Sequence, residues 1–412
     1  MKKRILALAL TLPLLLSCSG CGAPAEAVDL MKGIWPDGGQ RPPKQGPSPE
    51  QIAGLSDFSL ALLRENAGEG ENVLLSPLSI VSTLGMTANG ARGETLAQME
   101  GVLGLPLTEL NLAVYASLFP PSDQFHAANS IWFRDSGGLT VEEEFLQANA
   151  NWYEAGAYRA PFDETTCRAI NDWVGKNTDG MIGKILDEIP GDAVTYLINA
   201  LAFDAKWETP YVEGQAQEAL FTTENGEARK VTLMYSEEGR YLEDENAVGL
   251  LKAYAGGRYA FAALLPDEGV EMAGYLASLT GERLVEILEN AGTATVDAAI
   301  PKFELEYGTE LSEQLRALGM TDAFDANQAD FSGLGHSEAG NLYLSRVLHR
   351  TCLSVDEQGT KAGAVTVVEV ECGSAAPVEV KTVHLDRPFV CVIVDTNTNL
   401  PLFLGTVMDI GD

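Results

Sequence analysis

The sequence predicts one large α+β domain, preceded by an export signal and a flexible segment. Of the 412 residues, 46% are hydrophobic and 21% are charged, which is typical of a chain with a buried core. Helical and strand-like patterns alternate along the chain, and strands predominate towards the C-terminus. Because no internal repeat and no Gly/Pro-rich linker follows residue 50, we expect a single domain rather than two or three.

The net charge excludes one class of function. The formal value is −32, from 27 Lys and Arg against 59 Asp and Glu. Such a surface repels nucleic-acid backbones and anionic headgroups. The four histidines show no paired metal-binding spacing, and the sequence contains neither a C-x-x-C…C-x-x-C nor an HExxH arrangement. We therefore expect no nucleic-acid partner, no metal site and no cofactor.

The N-terminus, residues 1–21, has the pattern of an export signal. Basic residues at 2–4 precede an apolar run over 5–16, which is shorter than the roughly 20 residues that a membrane span needs. The end of this segment resembles the bacterial lipobox, in which a lipidated cysteine becomes the mature N-terminus. The small residues before Cys21 favour that position, and Cys18 is the alternative. We expect an exported protein, either a cell-surface lipoprotein held by this lipid anchor or a secreted one.

A segment rich in proline and glycine follows the signal, over residues 22–47. Repeated prolines and glycines disfavour a stable helix. We expect a flexible tether here, and a folded domain over residues 48–412.

The domain is expected to open with an amphipathic helix. Ser48 is suited to the N-cap, Pro49 to the first helical position and Gln51 to the third. Apolar residues then recur at helical spacing, at Ile52, Leu55, Phe58 and Leu62.

A short strand and a second helix come next. Residues 72–75 predict the strand, and Ser76 and Pro77 begin a helix in which Gly85, Ala88 and Gly90 are small. Small residues in a helix indicate that another element packs close to it. Further along, a helix is expected over 167–177, and strands over 196–203, 259–265, 295–303 and 389–395.

Short blocks throughout the domain resemble the serpins. The similarity begins with NVLLSPLSI at residues 72–80 and GARGET at 90–95. Further blocks follow in the family's order at residues 128–129, 170–174, 178–182, 199–200, 207, 264–266, 301–303, 329–332, 349–350, 357–360, 387–389 and 402–407. The resemblance covers about residues 50–410. It implies the serpin fold, a single domain of three β-sheets and eight or nine helices with an exposed reactive-centre loop, and a monomer.

The resemblance implies a protease inhibitor rather than an enzyme. In serpins a protease cleaves the exposed loop as bait, and the loop then inserts as a strand into the central sheet with the acylated protease attached. The implied partner is a serine protease held in a covalent complex. The hinge at which insertion begins matches Glu357, Gly359, Thr360, Ala362, Gly363, Ala364 and Thr366.

The loop sequence has the alternation that an inserting strand needs. Side chains alternate between the two faces of a strand. One face carries only small or uncharged residues, namely Thr360, Ala362, Ala364, Thr366, Val368, Val370 and Cys372. A charge on that face would be buried without a partner and would stall insertion.

The resemblance places the scissile region at Cys372, Gly373 and Ser374, within residues 371–376. This window contains no Arg or Lys, which disfavours a trypsin-like target. Its small residues favour an elastase-like or subtilisin-like protease, and Glu371 leaves open a protease that prefers acidic residues. Cross-class inhibition of cysteine proteases is an alternative.

Five further residues match positions that control insertion in serpins. Ser76, Ser79, Asn199 and His349 match the polar cluster beneath the strands that separate, and Trp207 matches the point where the loop enters. For His349 we expect a structural role and no proton transfer.

Two alternatives to inhibition belong to other function classes. A hydrolase needs a nucleophile with a general base, and the sequence contains no G-x-S-x-G elbow. A non-inhibitory serpin that binds a ligand or a partner would carry large or charged residues on the inserting face of the hinge. The hinge residues here are small, so we favour inhibition.

Overall fold

A computed structural model describes residues 27–37, 46–68, 70–118, 123–135, 138–153, 155–191, 193–360 and 380–411. The predicted export signal, with Cys18 and Cys21, lies outside these residues. So do seven predicted loop residues, namely Ala362, Gly363, Ala364, Thr366, Cys372, Gly373 and Ser374.

Nine α-helices occur in the described part of the chain. They are α1 (Pro49–Asn66), α2 (Pro77–Ala88), α3 (Gly93–Leu103), α4 (Leu107–Leu118), α5 (Glu143–Trp152), α6 (Glu164–Asn177), α7 (Met272–Ser278), α8 (Gly281–Glu289) and α9 (Ser312–Ala317). The predicted start of α1 is confirmed, because Ser48 Oγ accepts from the Gln51 N–H and Gln51 Oε1 accepts from the Ser48 N–H. In this part of the chain, no helix by itself has the length and apolar character of a membrane span.

The central sheet has eight strands in the described residues. They are β1 (Val28–Asp29), β3 (Phe125–Arg134), β5 (Gly156–Ala160), β6 (Thr195–Phe203), β7 (Ala205–Lys206), β13 (Phe303–Glu310), β15 (Arg346–Val355) and β16 (Gly359–Thr360). Their order is β1-β5-β3-β6-β15-β16-β7, and β13 also pairs with β15. In the middle, β6 and β15 run parallel and pair directly, with Asn199 opposite His349.

A second sheet of nine strands packs behind the central one. It contains β2 (Val73–Leu75), β8 (Ala216–Thr222), β9 (Ala228–Glu243), β10 (Ala247–Ala253), β11 (Tyr259–Pro266), β12 (Gly292–Pro301), β17 (Val380–His384), β18 (Phe389–Asp395) and β19 (Leu400–Val407). A two-stranded sheet, β4 (Thr140–Val141) with β14 (Gly335–His336), completes the described strands. The prediction of three sheets with eight or nine helices in an α+β fold is confirmed.

Helix α2 is buried along its whole length and contacts β3, β6 and β19, so it lies between the two large sheets. Its small residues explain how it fits. A Cβ at Gly85 would stand 2.6 Å from the Tyr153 hydroxyl. Gly90, which was expected within the helix, lies two residues beyond its end, and a Cβ there would stand 2.8 Å from the Leu334 Cα. The expectation of close packing against this helix is confirmed.

Part of the expected tether is folded. Val28 and Asp29 pair with β5, and the Leu30 N–H donates to the Ala157 carbonyl at 2.9 Å. Leu30, Met31 and Ile34 are partly buried against the core. The prediction of a flexible tether over 22–47 is therefore wrong for residues 27–37. These apolar side chains pack at the edge of the central sheet. The prediction considered only the proline and glycine content of the segment and not its apolar residues.

The cysteines of the described residues are thiols. Cys167 and Cys391 are buried and free, and Cys352 is half-buried. Burial raises the pKa of the Cys391 thiol to about 12. This thiol is therefore protonated and packs as an apolar residue.

Two glycines in different surroundings give a matched pair of predictions. Gly90→Ala puts a methyl group against the Leu334 backbone and should lower the free energy of unfolding by about 1–3 kcal/mol. Gly101 is exposed within α3, and no atom lies within 4 Å of the point that a Cβ would occupy. Gly101→Ala should therefore raise the free energy of unfolding by about 0.5–1 kcal/mol. Urea unfolding of both variants measures whether the free energy of unfolding falls for Gly90→Ala and rises for Gly101→Ala. Equal changes in the two variants would contradict the packing described for Gly90.

Candidate functional site

A polar cluster lies where β6 and β15 meet above the N-terminus of α2. Asn199 comes from β6, His349 from β15, and Ser76 and Ser79 from the start of α2. All four are almost completely buried. The structure therefore brings together the four residues that the sequence grouped in one polar cluster.

His349 connects the two strands to the helix. Its Nδ1 lies 2.6 Å from Asn199 Oδ1, and its Nε2 accepts from the Ser76 N–H at 3.1 Å. Because Nε2 is the acceptor, the ring proton is on Nδ1 and is donated to Asn199. Since Asn199 and His349 face each other across neighbouring strands, this hydrogen bond crosses the β6–β15 boundary.

Asn199 extends the cluster towards β3. Its Nδ2 lies 2.6 Å from Ser79 Oγ, 2.9 Å from Thr83 Oγ1 and 2.9 Å from Asn129 Oδ1. Asn129 is on β3, directly opposite Asn199 in the sheet. The cluster thus joins three adjacent strands of the central sheet to α2.

Sequence reasoning missed two members of this cluster. Thr83 follows Ser79 by one helical turn, and Asn129 lies in one of the resemblance blocks, so both had a signal that could have found them. Ser76 takes part through its backbone N–H, while its buried hydroxyl has no partner among the described residues.

Burial keeps His349 uncharged. The ring is enclosed, and desolvation lowers its pKa from 6.5 to about 3. With both nitrogens hydrogen-bonded and no exposed edge, the side chain cannot exchange a proton with a ligand. The geometry supports the structural role expected for it.

Trp207 belongs to the loop entry and not to the polar cluster. Its indole N–H donates to the Asp356 carbonyl at 2.9 Å, and its backbone N–H donates to the Gln358 carbonyl at 2.9 Å. The ring stacks on Tyr254, with centroids 4.5 Å apart. Trp207 therefore fixes the turn that leads out of β15 into the loop.

Glu357 is held on both its side chain and its backbone. Its carboxylate pairs with Lys302 at 2.9 Å, and this hydrogen bond lowers the pKa of the carboxyl group below its usual value. Its carbonyl accepts from the Tyr211 N–H at 2.9 Å. The first predicted hinge residue is thus anchored to the β12–β13 turn.

Gly359 and Thr360 already occupy a strand position. They form β16, which pairs with β15 on one side and β7 on the other. A Cβ at Gly359 would lie 2.1 Å from the Ala205 carbonyl oxygen, so no larger residue fits there. Thr360 is fully buried, and its hydroxyl lies 2.6 Å from that of Tyr254. No sequence motif had singled out Tyr254.

A family model described as Serpin (serine protease inhibitor) matches residues 53–410. The chain is a serpin. Alpha-1-antiproteinase 2 of Equus caballus is 31% identical over 381 residues, which cover 89% of this serpin and 88% of that protein. An uncharacterized serpin-like protein of Thermococcus kodakarensis is 30% identical over 383 residues, with 90% and 88% covered.

Solved structures show the same fold. The thermophilic serpin tengpin in its native state superposes with a TM-score of 0.87 at 44% identity, covering 94% of this serpin and 100% of that chain. Human thyroxine-binding globulin superposes with a TM-score of 0.79 at 25% identity, and the match covers 88% of this serpin and 100% of that chain. The family therefore includes a protein named for binding a small ligand as well as antiproteinases.

Three potential metal ligands also meet on the central sheet. Glu304 and Glu306 of β13 and Cys352 of β15 place one ligand atom each within 4.8 Å of one another. Glu306 is paired with Arg350 at 3.1 Å, and both carboxylates are exposed. The sequence predicted no metal site, and a carboxylate pair of this kind is common on exposed strands.

The buried His349 predicts an acid-dependent loss of stability. The unfolded chain binds a proton on this ring below pH 6.5, while the folded ring stays neutral down to about 3. Protons therefore favour unfolding. The contribution of His349 to the free energy of unfolding is therefore complete above pH 6.5. Below pH 6.5 this contribution falls by about 1.4 kcal/mol per pH unit.

The variant His349→Gln isolates this effect, because Gln keeps hydrogen-bonding capacity but does not titrate. We expect the gap in unfolding free energy between wild type and variant to narrow as the pH falls from 7 to 5, measured by urea denaturation. Parallel pH profiles for the two proteins would rule out a neutral buried His349.

Proposed function

We propose that this serpin inhibits serine proteases as a suicide substrate, by inserting its cleaved loop between β6 and β15. The observation that carries the proposal is the position of Thr360. The residue is buried in the central sheet, paired with β15 and β7, at the end of the β6–β15 boundary. A strand that continues from Thr360 would run into that boundary.

The composition of the loop supports insertion along this path. Alternation from Thr360 places Ala362, Ala364 and Thr366 on the same face as Thr360, whose side chain is buried. These side chains are small enough to lie over the buried polar cluster. At about 3.3 Å per residue, residues 360–372 span about 43 Å.

The backbone bonding favours the inserted state. Separating β6 from β15 breaks one ladder and the Asn199–His349 hydrogen bond. The inserted strand then pairs with both of its neighbours, so two ladders replace one. Burial of the uncharged face adds to this difference. The separation step would be the barrier, and the β6–β15 ladder and the polar cluster would both contribute to its height.

The target that we propose is an elastase-like or subtilisin-like protease. The proposed scissile region, Cys372, Gly373 and Ser374, has small side chains that suit a shallow specificity pocket. The covalent partner would be the acylated protease, in a complex with one copy of this serpin. A cysteine protease is the cross-class alternative.

A non-inhibitory, ligand-binding role is the second candidate. Thyroxine-binding globulin, a structural neighbour, was solved in complex with thyroxine. Against this role stands the hinge, in which the residues on the face of Thr360 are small and uncharged.

We also propose that residues 1–21 direct export and that Cys21, or Cys18, carries a lipid anchor. The proposal is supported by the basic start, the short apolar run and the small residues before Cys21, while Leu15 and Leu16 favour Cys18. Mass spectrometry of the mature N-terminus from membrane fractions tests it. An unmodified chain that begins elsewhere would contradict it.

The direct experiment mixes the purified protein with pancreatic elastase, subtilisin, chymotrypsin and trypsin, followed by denaturing gels and mass spectrometry. We expect a denaturant-stable band at the summed mass with elastase or subtilisin, and a released C-terminal peptide that locates the scissile bond. If the loop is cleaved but none of the four proteases gives a stable band, the non-inhibitory alternative is favoured. Thermal melting of the cleaved form then tests insertion itself, since an inserted loop should raise the melting temperature.

A substitution at Thr360 tests the insertion step separately from recognition. Thr360→Arg places a charge in a fully buried position beside Tyr254, so insertion should stall and the variant should be cleaved as an ordinary substrate. The control Thr360→Ser retains the hydroxyl and the small size. The measurement is the ratio of stable complex to cleaved serpin. A complex yield unchanged in Thr360→Arg would refute insertion from this hinge.

A further inference from the structure

A small polar cavity lies at the opposite end of the β6–β15 boundary from the loop entry. It is bounded by the start of β15, by α9 and by the segment before β6, and its volume is about 270 Å³. Arg346, Ser345, Ser312 and Glu310 line it. None of these residues belongs to the polar cluster or to the hinge.

Two polar groups in this cavity have no partner among the described residues. Arg346 is half-buried, and no described residue forms an ion pair or hydrogen bond with its guanidinium. Ser312 is 2% exposed, and its hydroxyl oxygen is buried without a partner in the described part of the chain. A buried hydroxyl without a hydrogen bond is destabilising, and a ligand that bonds to it would remove that cost.

Ser345 offers a third group. Its Oγ accepts from the Val194 N–H at 2.8 Å and the Thr195 N–H at 3.3 Å. The hydroxyl proton is therefore available to donate. These hydrogen bonds also tie the start of β15 to the start of β6.

Glu310 supplies the opposite charge. It pairs with Leu348 across β13 and β15, so it shares a face of the sheet with Arg346, two residues away along β15. Diagonal neighbours of this kind lie about 7–8 Å apart. Glu310 Oε1 accepts from the Ser312 N–H at 3.1 Å, yet the carboxylate forms no ion pair with Arg346. The remaining charges of the cavity, Glu313 and Arg316, pair with each other.

We propose that this cavity binds a small zwitterion of the α-amino acid type. Arg346 and the hydroxyls of Ser312 and Ser345 would hold its carboxylate, since a guanidinium matches a carboxylate bidentately. Glu310 would hold its ammonium group. A simple anion would face Glu310 in a chain of net charge −32, and a simple cation would face Arg346. A ligand that carries both charges satisfies both groups.

The test is a titration of the full chain with L-alanine, followed by saturation-transfer NMR. Acetate, methylammonium and inorganic phosphate at equal ionic strength are the comparison probes. We expect saturable transfer to L-alanine, and at least about tenfold weaker binding of acetate and of methylammonium, since each makes only half of the charged contacts. Because Ser345 joins β6 to β15, L-alanine should also raise the melting temperature.

Substitutions of the lining residues test whether L-alanine binds in this cavity. Arg346→Gln and Ser312→Ala should each weaken L-alanine binding, by at least about tenfold for Arg346→Gln. Arg350→Gln is the matched control, because Arg350 lies on the same strand but pairs with Glu306 outside the cavity. Absence of saturable transfer in the wild type, unchanged binding in Arg346→Gln, or tighter binding of phosphate than of L-alanine would each overturn the proposal. None of these measurements involves a protease, so their outcome is independent of the proposed inhibitory function.

Discussion

The hydrogen bond between Asn199 and His349 is the interaction on which the rest of the central sheet depends. It joins the two strands that the proposed mechanism must separate, and the same imidazole accepts from the start of α2. Because the ring is buried and neutral, neither bond competes with water. The contact is directional and short in range, so a small separation of the strands removes it entirely.

At the other end of β15, the segment that leads into the predicted hinge is anchored by several contacts. Trp207, Tyr211 and Lys302 hold the turn at 356–358, while Thr360 is already in a strand position. In the proposed mechanism, the loop would therefore start its insertion from a fixed point. Thr360 would be the first residue of the inserted strand, and the polar cluster would oppose the separation of β6 and β15.

Much of this could be predicted from the sequence, for physical reasons that differ between elements. The capping box at Ser48 and the strand at 389–395, which is apolar as far as Asp395, are local signals, and both predictions are confirmed. The grouping of Ser79, Asn199 and His349 came from family resemblance, because no local pattern brings residues 150 positions apart together. Asn129, Tyr254 and the packing of residues 27–37 depend on tertiary neighbours, which spacing along the chain does not reveal.

The pairing of β2 with β19 has a consequence for how the chain reaches its native state. Leu75 lies opposite Leu404, so an N-terminal strand has its partner in the last strand of the described chain. Helix α2, which follows β2, packs against β19 as well. Contacts between such distant positions form slowly, since a long loop must close first. Completion of the core therefore waits for the C-terminus to emerge from the ribosome, and stepwise folding during synthesis stops short of the native sheet.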